Sequence, residues 1–401
     1  MGSSVAQLRP LPYHEALADY LGTAEKETWA WFASAKAQEE YAEELRLDLL
    51  RSTYRLEAAA HPELYQILAE VVATLTPGLP VTLYQAQDKL GANASLYSLP
   101  GEAHLVVQGN LLNLLDPAEI RGVLGHEIAH HRLWIEGDGR FRIVDRIAQA
   151  MAADPRGHAS HGETARLLRL YTEIYADRGA YCATGAVAPV ITGLLKISTG
   201  LGTVDAAGYL RQAEEIFTRS KKRTDETSHP ESFIRARAVH LWHERGAEAD
   251  TEVRRMIEGE ARLDRLDLLG QAAHAGHTRR WLDLLLSRPV AQSDATRAQA
   301  RLFFDGYEFP PATHADDALL EVLRDAPASI RDYYLYLLLD FSTVDPELGE
   351  EPIKAAHRLA HRLEWAERLE TLAVKELKFK KRDAKRQREE ALASAEPGQP
   401  S

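Results

Sequence analysis

The stretch Gly125-His126-Glu127-Ile128-Ala129-His130 places two histidines four residues apart, with a glutamate directly after the first. On an α-helix, side chains at i and i+4 project from one face, so His126 and His130 could hold one zinc ion. Glu127 would then lie beside the open coordination position of the metal. A carboxylate there can accept a proton from a zinc-bound water and later return it to a leaving amine. The pattern therefore predicts a catalytic zinc site.

The residues around this pattern predict that it lies inside a helix. The run Asp116-Pro117-Ala118-Glu119 combines an N-cap residue, a proline at the first helical position and an acid at the third. Apolar residues follow at helical spacing, and Gly137-Asp138-Gly139 supplies a stop signal. Both histidines should therefore project from the middle of one helix.

A second predicted helix, Glu163 to Cys182, offers the remaining ligand. Within it, Glu173 and Asp177 are four residues apart and share a face. Glu173 could be the third protein ligand, and Asp177 could accept a hydrogen bond from a ligand histidine. Either acid alone would be an ordinary solvated helix residue. Their pairing downstream of the histidine helix favours the metal site.

These two motifs resemble the M48 family of zinc metallopeptidases, which includes membrane proteases and soluble relatives. The resemblance runs from about Val81 to about Val239, and it also includes Leu99-Pro100-Gly101 and Arg178-Gly179-Ala180. The resemblance implies a gluzincin-type core with defined roles for the residues of both motifs. The zinc ligands would be His126, His130 and Glu173, the general base Glu127, and the partner of a ligand histidine Asp177.

A further element, Ser228-His229-Pro230 followed by Arg235, matches the His-Pro and arginine of the family. Either His229 or Arg235 could donate a hydrogen bond to the oxyanion of the tetrahedral intermediate. Alternatively, His229-Pro230 only starts a helix and Arg235 is a surface residue. The sequence leaves both interpretations open.

The substrate-binding strand departs from the family pattern. Many members carry Asn-Ala-aromatic before Leu-Pro-Gly, whereas Ser95-Leu96-Tyr97 occupies that place here and Asn93-Ala94 lies two residues earlier. We therefore expect the next strand, His104-Leu105-Val106-Val107, to bind an extended peptide by β-augmentation. The same four residues would also suit a plain core strand.

Composition and charge exclude several classes of protein. With 401 residues, 45% of them hydrophobic, the chain can bury a sizeable core and should hold more than one domain. A net charge of -12 argues against a nucleic-acid partner, which would require a clustered cationic surface. The single cysteine, Cys182, excludes an intramolecular disulfide and favours a reducing cytoplasm. The most apolar stretch, Ala186 to Gly202, is interrupted by Pro189 and Lys196, so we expect no transmembrane segment.

The fold should be mainly α with a small β-sheet, a gluzincin-type metallopeptidase core (α+β) flanked by all-α regions. Three strands are expected, at Val81 to Gln85, Ser95 to Leu99 and Ala103 to Val107. The expected division is a helical region over 1–78, the metallopeptidase core over 79–246, a helical domain over 247–374, and a basic helix with a disordered tail over 375–401.

Two functions fit these observations. The first is a soluble zinc metalloendopeptidase that acts on a protein or peptide substrate. The second is a zinc-binding scaffold or latent protease that binds a protein partner through its C-terminal helices. Hydrolysis requires Glu127 as a general base, whereas a scaffold does not. The presence of Glu127 therefore favours the metalloendopeptidase. The N-terminal helices could cover the cleft as a lid.

Overall fold

The computed structural model describes residues 8–34, 36–87, 91–99, 101–219 and 229–393. Pro100 and Ser228 of the quoted motifs, and the expected disordered tail beyond residue 393, lie outside this part of the chain. The chain divides into two units, Met1–Glu260 and Ala261–Ser401. The finer four-part division stays a prediction.

The first unit contains eleven α-helical segments and four strands within its described residues. In chain order they are α1 (Pro12–Ala24), α2 (Lys26–Phe32), α3 (Lys36–Ser52), β1 (Thr53–Arg55), α4 (Pro62–Leu75), β2 (Val81–Ala86), β3 (Asn93–Leu99), β4 (Glu102–Gln108), α5 (Leu111–Leu114), α6 (Pro117–Ala153), α7 (Ala159–Thr184), α8 (Val187–Thr199), α9 (Ala206–Arg219), α10 (Ser232–Arg245) and α11 (Asp250–Glu258).

The second unit is helical throughout its described residues. Its helices are α12 (Leu268–Leu286), α13 (Asp294–Phe303), α14 (Asp317–Arg324), α15 (Ala328–Thr343), α16 (Glu351–His361), α17 (Ala366–Glu376) and α18 (Lys381–Ala393). Trp281 lies at the centre of its core and donates a hydrogen bond to the Tyr334 carbonyl over 3.0 Å. The basic helix α18 belongs to this unit, because it buries Ala384, Gln387 and Ala391.

The chain is thus mainly helical with one small sheet, as the sequence predicts. Within the described residues the sheet has four strands in the order β1-β2-β4-β3. The pair β2 and β4 is parallel, whereas β1 with β2 and β3 with β4 are antiparallel. The expected strands are confirmed with small shifts at their ends. The strand Thr53–Arg55 corrects the expectation of helices throughout 1–78, because its pairing with β2 is a tertiary effect that local propensity does not show.

The expectation that His104, Leu105, Val106 and Val107 bind a peptide by β-augmentation is wrong. These residues lie on β4, whose backbone pairs with β2 on one side and β3 on the other. A substrate strand therefore has no edge to join at β4. Leu105 is fully buried, so the strand belongs to the core, and the open edge of the sheet on this side is β3.

The N-terminal helix α1 packs into the core instead of covering a cleft. His14 is fully buried, and its Nδ1 accepts a hydrogen bond from the Leu11 backbone over 3.1 Å. Its Nε2 therefore donates to Thr172 Oγ1 of α7, over 3.2 Å. Tyr13 stacks on Tyr171, with ring centroids 4.7 Å apart. These contacts contradict the lid hypothesis for α1.

The helix α6 begins where the sequence predicts. The Asp116 side chain accepts hydrogen bonds from the backbone of Ala118 and Glu119, each over 2.9 Å. Glu119 in turn accepts one from the Asp116 backbone over 2.9 Å, which completes a capping box. The predicted stop signal breaks the helix at 136–139, where Gly137, Asp138 and Gly139 all have positive φ. The histidines therefore lie in a well-defined first half of α6.

The helices α6 and α7 cross at unusually short range because both carry small residues at the contact. A Cβ added to Gly179 of α7 would lie 2.2 Å from Ala129 Cβ of α6. A Cβ added to Gly125 of α6 would lie 2.6 Å from Ala183 Cβ of α7. No side chain larger than hydrogen fits at either glycine without moving a helix.

Within the described residues, the protein contains no helix with both the length and the apolar character needed to cross a bilayer.

The helix crossing predicts a specific stability effect. We expect Gly179→Ala to lower the free energy of unfolding by about 1–3 kcal/mol, because the methyl group overpacks the contact. The control Gly162→Ala lies on the same helix, where no atom stands within 4 Å of the added Cβ. It should raise the free energy of unfolding by about 0.5–1 kcal/mol, since glycine disfavours helix. Urea denaturation followed by circular dichroism measures both, and equal effects would contradict the overpacking.

Candidate metal centre

The crossing of α6 and α7 brings the three predicted ligands together. His126 Nε2 and His130 Nε2 of α6 are 3.2 Å apart. Glu173 of α7 places Oε2 3.4 Å from His126 Nε2 and Oε1 3.6 Å from His130 Nε2. Among the described residues, this is the one group of three side chains with metal-ligating atoms this close.

These distances fit a tetrahedral zinc ion. Zinc lies about 2.0–2.1 Å from nitrogen and oxygen ligands, so two ligand atoms on the same ion are about 3.4 Å apart. Within the described part of the chain, the buried Oε2 of Glu173 accepts no hydrogen bond. A cation at the centre of the group would satisfy that oxygen. The donor set, two imidazoles and a carboxylate, is typical of zinc sites with one open position.

The electrostatics of the group also favour a cation. Burial alone would lower the pKa of His126, but the hydrogen bond to Asp177 and the charges of Asp177 and Glu173 raise it to about 10. Burial would raise the pKa of Glu173, yet the nearby charge of His126 holds it well below its usual range. Burial lowers the pKa of His130 to about 4, so this imidazole is neutral at pH 7. Two carboxylates therefore stabilise one positive charge at the centre of the group.

Asp177 orients the first histidine. Its Oδ1 lies 2.9 Å from His126 Nδ1, which directs Nε2 toward the centre of the group. Arg235 of α10 binds the same carboxylate with two donors, Nε to Oδ2 over 2.8 Å and Nη2 to Oδ1 over 2.5 Å. The Arg235 side chain is only 12% exposed, so its interpretation as a surface residue is wrong.

Glu127 also lines the cleft around this group. Burial raises the pKa of Glu127 to about 7. The carboxylate accepts a hydrogen bond from the backbone N–H of Leu96 on β3. This hydrogen bond links the edge strand β3 to the helix α6. A pKa near 7 suits a carboxyl group that accepts and returns a proton near neutral pH.

His229 lies at the mouth of the cleft. Its Nε2 is 3.6 Å from Glu173 Oε2, and its side chain is 59% exposed. The structure thus brings both His229 and Arg235 to the predicted site but gives them different surroundings. Arg235 is buried against Asp177, whereas His229 faces the open side.

The cleft around this group has a volume of about 500 Å³. Its walls come from α6, α7, α8 and the first residues of β3, and His104, Leu105, Val106 and Val107 do not line it. The sequence reasoning missed α8, although Val190, Leu194 and Ile197 have the i, i+4, i+7 spacing of one helix face. It also missed the packing role of Gly125 and Gly179, which the spacing Gly-x-x-x-Ala in both helices could have indicated.

Comparison with known proteins agrees with this geometry. Residues 58–243 match the model of Peptidase family M48. No curated protein and no solved structure matches the chain. The matched residues contain the strands β2, β3 and β4, both halves of α6, and the acids of α7. Over residues 58–243, the chain is therefore similar to peptidase family M48.

Proposed function

We propose that this protein is a zinc-dependent metalloendopeptidase with a gluzincin-type centre. His126, His130 and Glu173 would hold the zinc ion. The observation that carries the proposal is the convergence of these three ligands with Glu127 in one cleft. The similarity of residues 58–243 to Peptidase family M48 supports the same class of enzyme.

The chemistry divides between the metal and the side chains. Zinc, when bound, lowers the pKa of a water molecule to about 7 and polarises the carbonyl of the scissile peptide bond. Glu127 accepts a proton from the attacking water and delivers it to the leaving amine. Its raised pKa allows both steps near pH 7, because neither protonation state is strongly favoured.

His229 is the better donor to the oxyanion. The guanidinium of Arg235 already makes a bidentate contact with Asp177, so its hydrogen bonds serve to fix that carboxylate. The imidazole of His229 lies on the open side of the cleft, where the substrate carbonyl would lie. We assign oxyanion stabilisation to His229 and the positioning of Asp177 to Arg235.

The substrate would be an extended peptide bound along β3. This strand is an edge of the sheet, and the backbone of Leu96 lies on its cleft side, next to Glu127. Alternate residues of a strand share an edge, so Ala94 presents its backbone on the same side. Main-chain hydrogen bonds to this edge would bind peptides of many sequences.

The shape of the cleft supports cleavage within a chain. In the first half of α6, the residues that line it run from Glu119 to Trp134, a rise of about 22 Å along the helix. His126 and His130 lie between these ends. A peptide can therefore extend to both sides of the metal, as an endopeptidase requires.

The direct test is Glu127→Gln. We expect this variant to bind about one zinc ion per chain and to lose at least about 100-fold in cleavage of casein, because the general base is removed. Metal analysis and gel-based cleavage measure both quantities. Glu63→Gln, at an exposed position of α4, serves as the control and should cleave like the wild type. Full cleavage by Glu127→Gln would exclude the mechanism.

Zinc binding should release a proton. In the metal-free protein the raised pKa of His126 keeps its imidazole charged at pH 8, and zinc requires the neutral form. We expect release of about one proton per zinc at pH 8, and a rise in affinity of about tenfold per pH unit between 7.5 and 8.5. Calorimetry in buffers of different ionisation enthalpy measures the release. Binding without proton release would contradict the charged state of His126.

Asp177 should control zinc affinity without binding zinc. We expect Asp177→Asn to weaken zinc binding by about 10- to 100-fold, because the amide no longer holds the His126 ring as a carboxylate does. Competition with a chromogenic chelator measures the affinity. Asp145→Asn changes another aspartate that lines the cleft and should leave the affinity unaltered. Equal losses in the two variants would show that Asp177 has no special role.

A further inference from the structure

One end of the cleft, beyond the metal ligands, carries an aromatic side chain. His126, His130 and Trp134 follow one another at intervals of four residues, so they share one face of α6. Trp134 therefore lies one helical turn past His130, and the ring centroids of these two residues are 5.7 Å apart. Trp134 is only partly buried, and it lines the cleft. An aromatic surface is thus accessible to a ligand directly beside the metal group.

The second half of α6 adds a carboxylate to this end of the cleft. After the break at 136–139, Arg142 donates a hydrogen bond to the Ser98 carbonyl, near the end of β3. Asp145 follows Arg142 by three positions, so the two residues lie on the same helix face. Asp145 lines the cleft together with Gln149, whose Nε2 donates a hydrogen bond to Asp145 Oδ2 over 2.8 Å. The second half of α6 thus brings an acid to the same end of the cleft as Trp134.

The charge of Asp145 is not fully compensated. Burial raises the pKa of Asp145, although the hydrogen bond from Gln149 and the charges of three nearby arginines oppose this shift. One of these arginines, Arg169, also lines the cleft, but it is exposed, and water weakens the effect of an exposed charge. A cation that enters the cleft displaces water. It would therefore stabilise the Asp145 carboxylate more strongly than the exposed arginine does.

An indole surface and a carboxylate attract the same kind of ligand. A cation is drawn to the face of a tryptophan ring. A guanidinium group stacks on aromatic rings and also makes two parallel hydrogen bonds with a carboxylate. An apolar side chain would leave Asp145 without a partner in a dehydrated site, and an acidic side chain would be repelled. The chemistry of this end of the cleft therefore favours basic side chains, and arginine above lysine.

The direction of β3 decides on which side of the cleaved bond this side chain lies. Leu96 is bonded to Glu127, and Ser98 Oγ lies 2.7 Å from His131 Nδ1, so β3 and α6 run in the same direction. Antiparallel pairs are the more common and slightly more stable, so we take the bound peptide to run opposite to β3. The substrate residues before the cleaved bond then lie beside the end of β3, where Asp145 is.

The distance along α6 indicates which of these substrate residues is recognised. The rise from His130 to Trp134 is about 6 Å, which equals about two residues of an extended peptide. The side chain that reaches Trp134 therefore belongs to the second residue before the cleaved bond.

We propose that Trp134 and Asp145 form a specificity subsite for a basic side chain, with arginine preferred over lysine. The side chain is that of the second substrate residue before the cleaved bond. This inference rests on the proposed peptidase function and adds the class of substrate to it. Asp145 pairs with the positive charge, and Trp134 stacks on the flat guanidinium.

The first test maps cleavage sites in a library of unstructured peptides obtained from a proteome digest. New peptide ends are identified by mass spectrometry for the zinc-loaded full chain. We expect arginine and lysine to be enriched two positions before the cut. For a peptide pair that differs only in arginine or glutamine at that position, kcat/KM should differ by about tenfold or more.

Asp145→Asn should reduce that ratio to about two, because the amide keeps the shape of the side chain without its charge. Trp134→Leu should reduce it to about three, because leucine keeps an apolar surface without the aromatic ring. Asp138→Asn, at an exposed position in the break of α6, removes a charge outside the cleft lining and should keep the wild-type ratio. Zinc content and thermal unfolding of each variant verify that it is folded.

A binding measurement separates the subsite from catalysis. The zinc-loaded Glu127→Gln variant is titrated in a calorimeter with two blocked hexapeptides, which carry arginine or glutamine at the third position and alanine elsewhere. The arginine peptide should bind about tenfold more tightly than the glutamine peptide. The double variant Glu127→Gln/Asp145→Asn should bind both peptides with similar affinity.

The outcomes separate this inference from the proposed function. Cleavage with a basic preference two positions before the cut, lost in Asp145→Asn but kept in Asp138→Asn, would support the inference. Cleavage without this preference, with the preference at another position, or with a preference that both folded cleft variants retain would overturn it and leave the peptidase function standing. Absence of any cleavage by the wild type would overturn the peptidase function. The hexapeptides would then decide the subsite, and equal binding of the two would overturn the subsite as well.

Discussion

The short distance between α6 and α7 is the constraint on which the rest of the structure depends. Gly125 and Ala129 of α6 meet Ala183 and Gly179 of α7, and each histidine ligand directly follows one of the small residues of α6. The backbones of α6 and α7 touch there. Side chains of the two helices that project beside this contact, toward the same side, therefore end close together. The two histidines of α6 and Glu173 of α7 thus lie within one small group. Neither helix alone supplies all three of these predicted ligands.

That convergence places several charges in a buried environment, where each alone would be costly. The structure offsets the cost by giving every charge a partner of opposite sign: His126 lies between two carboxylates, and Arg235 contacts the outer one. Removal of one member would leave the others uncompensated. In the proposed enzyme, a divalent cation would replace the proton on His126 in this arrangement. Electrostatic balance, and not hydrogen bonding alone, therefore links α10 to the two ligand helices.

Features with a local cause could be predicted from the sequence. The capping box at Asp116, the break at Gly137-Asp138-Gly139, and the facing of the ligands on α6 and α7 follow from short-range spacing, and the structure contains all of them. Strand order could not be predicted, because β4 and β3 are similar in composition and only tertiary pairing makes β3 the edge. The contact of Arg235 with Asp177 joins residues 58 positions apart, and no local pattern encodes it.

The packing of α1 beneath α7 imposes an order on folding. His14 and its partner Thr172 are separated by 158 residues, so the first helix is synthesised long before its binding surface exists. At about 5–20 residues per second, the delay is roughly 8–32 s. During that interval the apolar side of α1, which carries Leu17 and Leu21, remains exposed to water or to a chaperone. The earliest helix of the unit is thus among the last to dock, and late contacts of this kind slow folding.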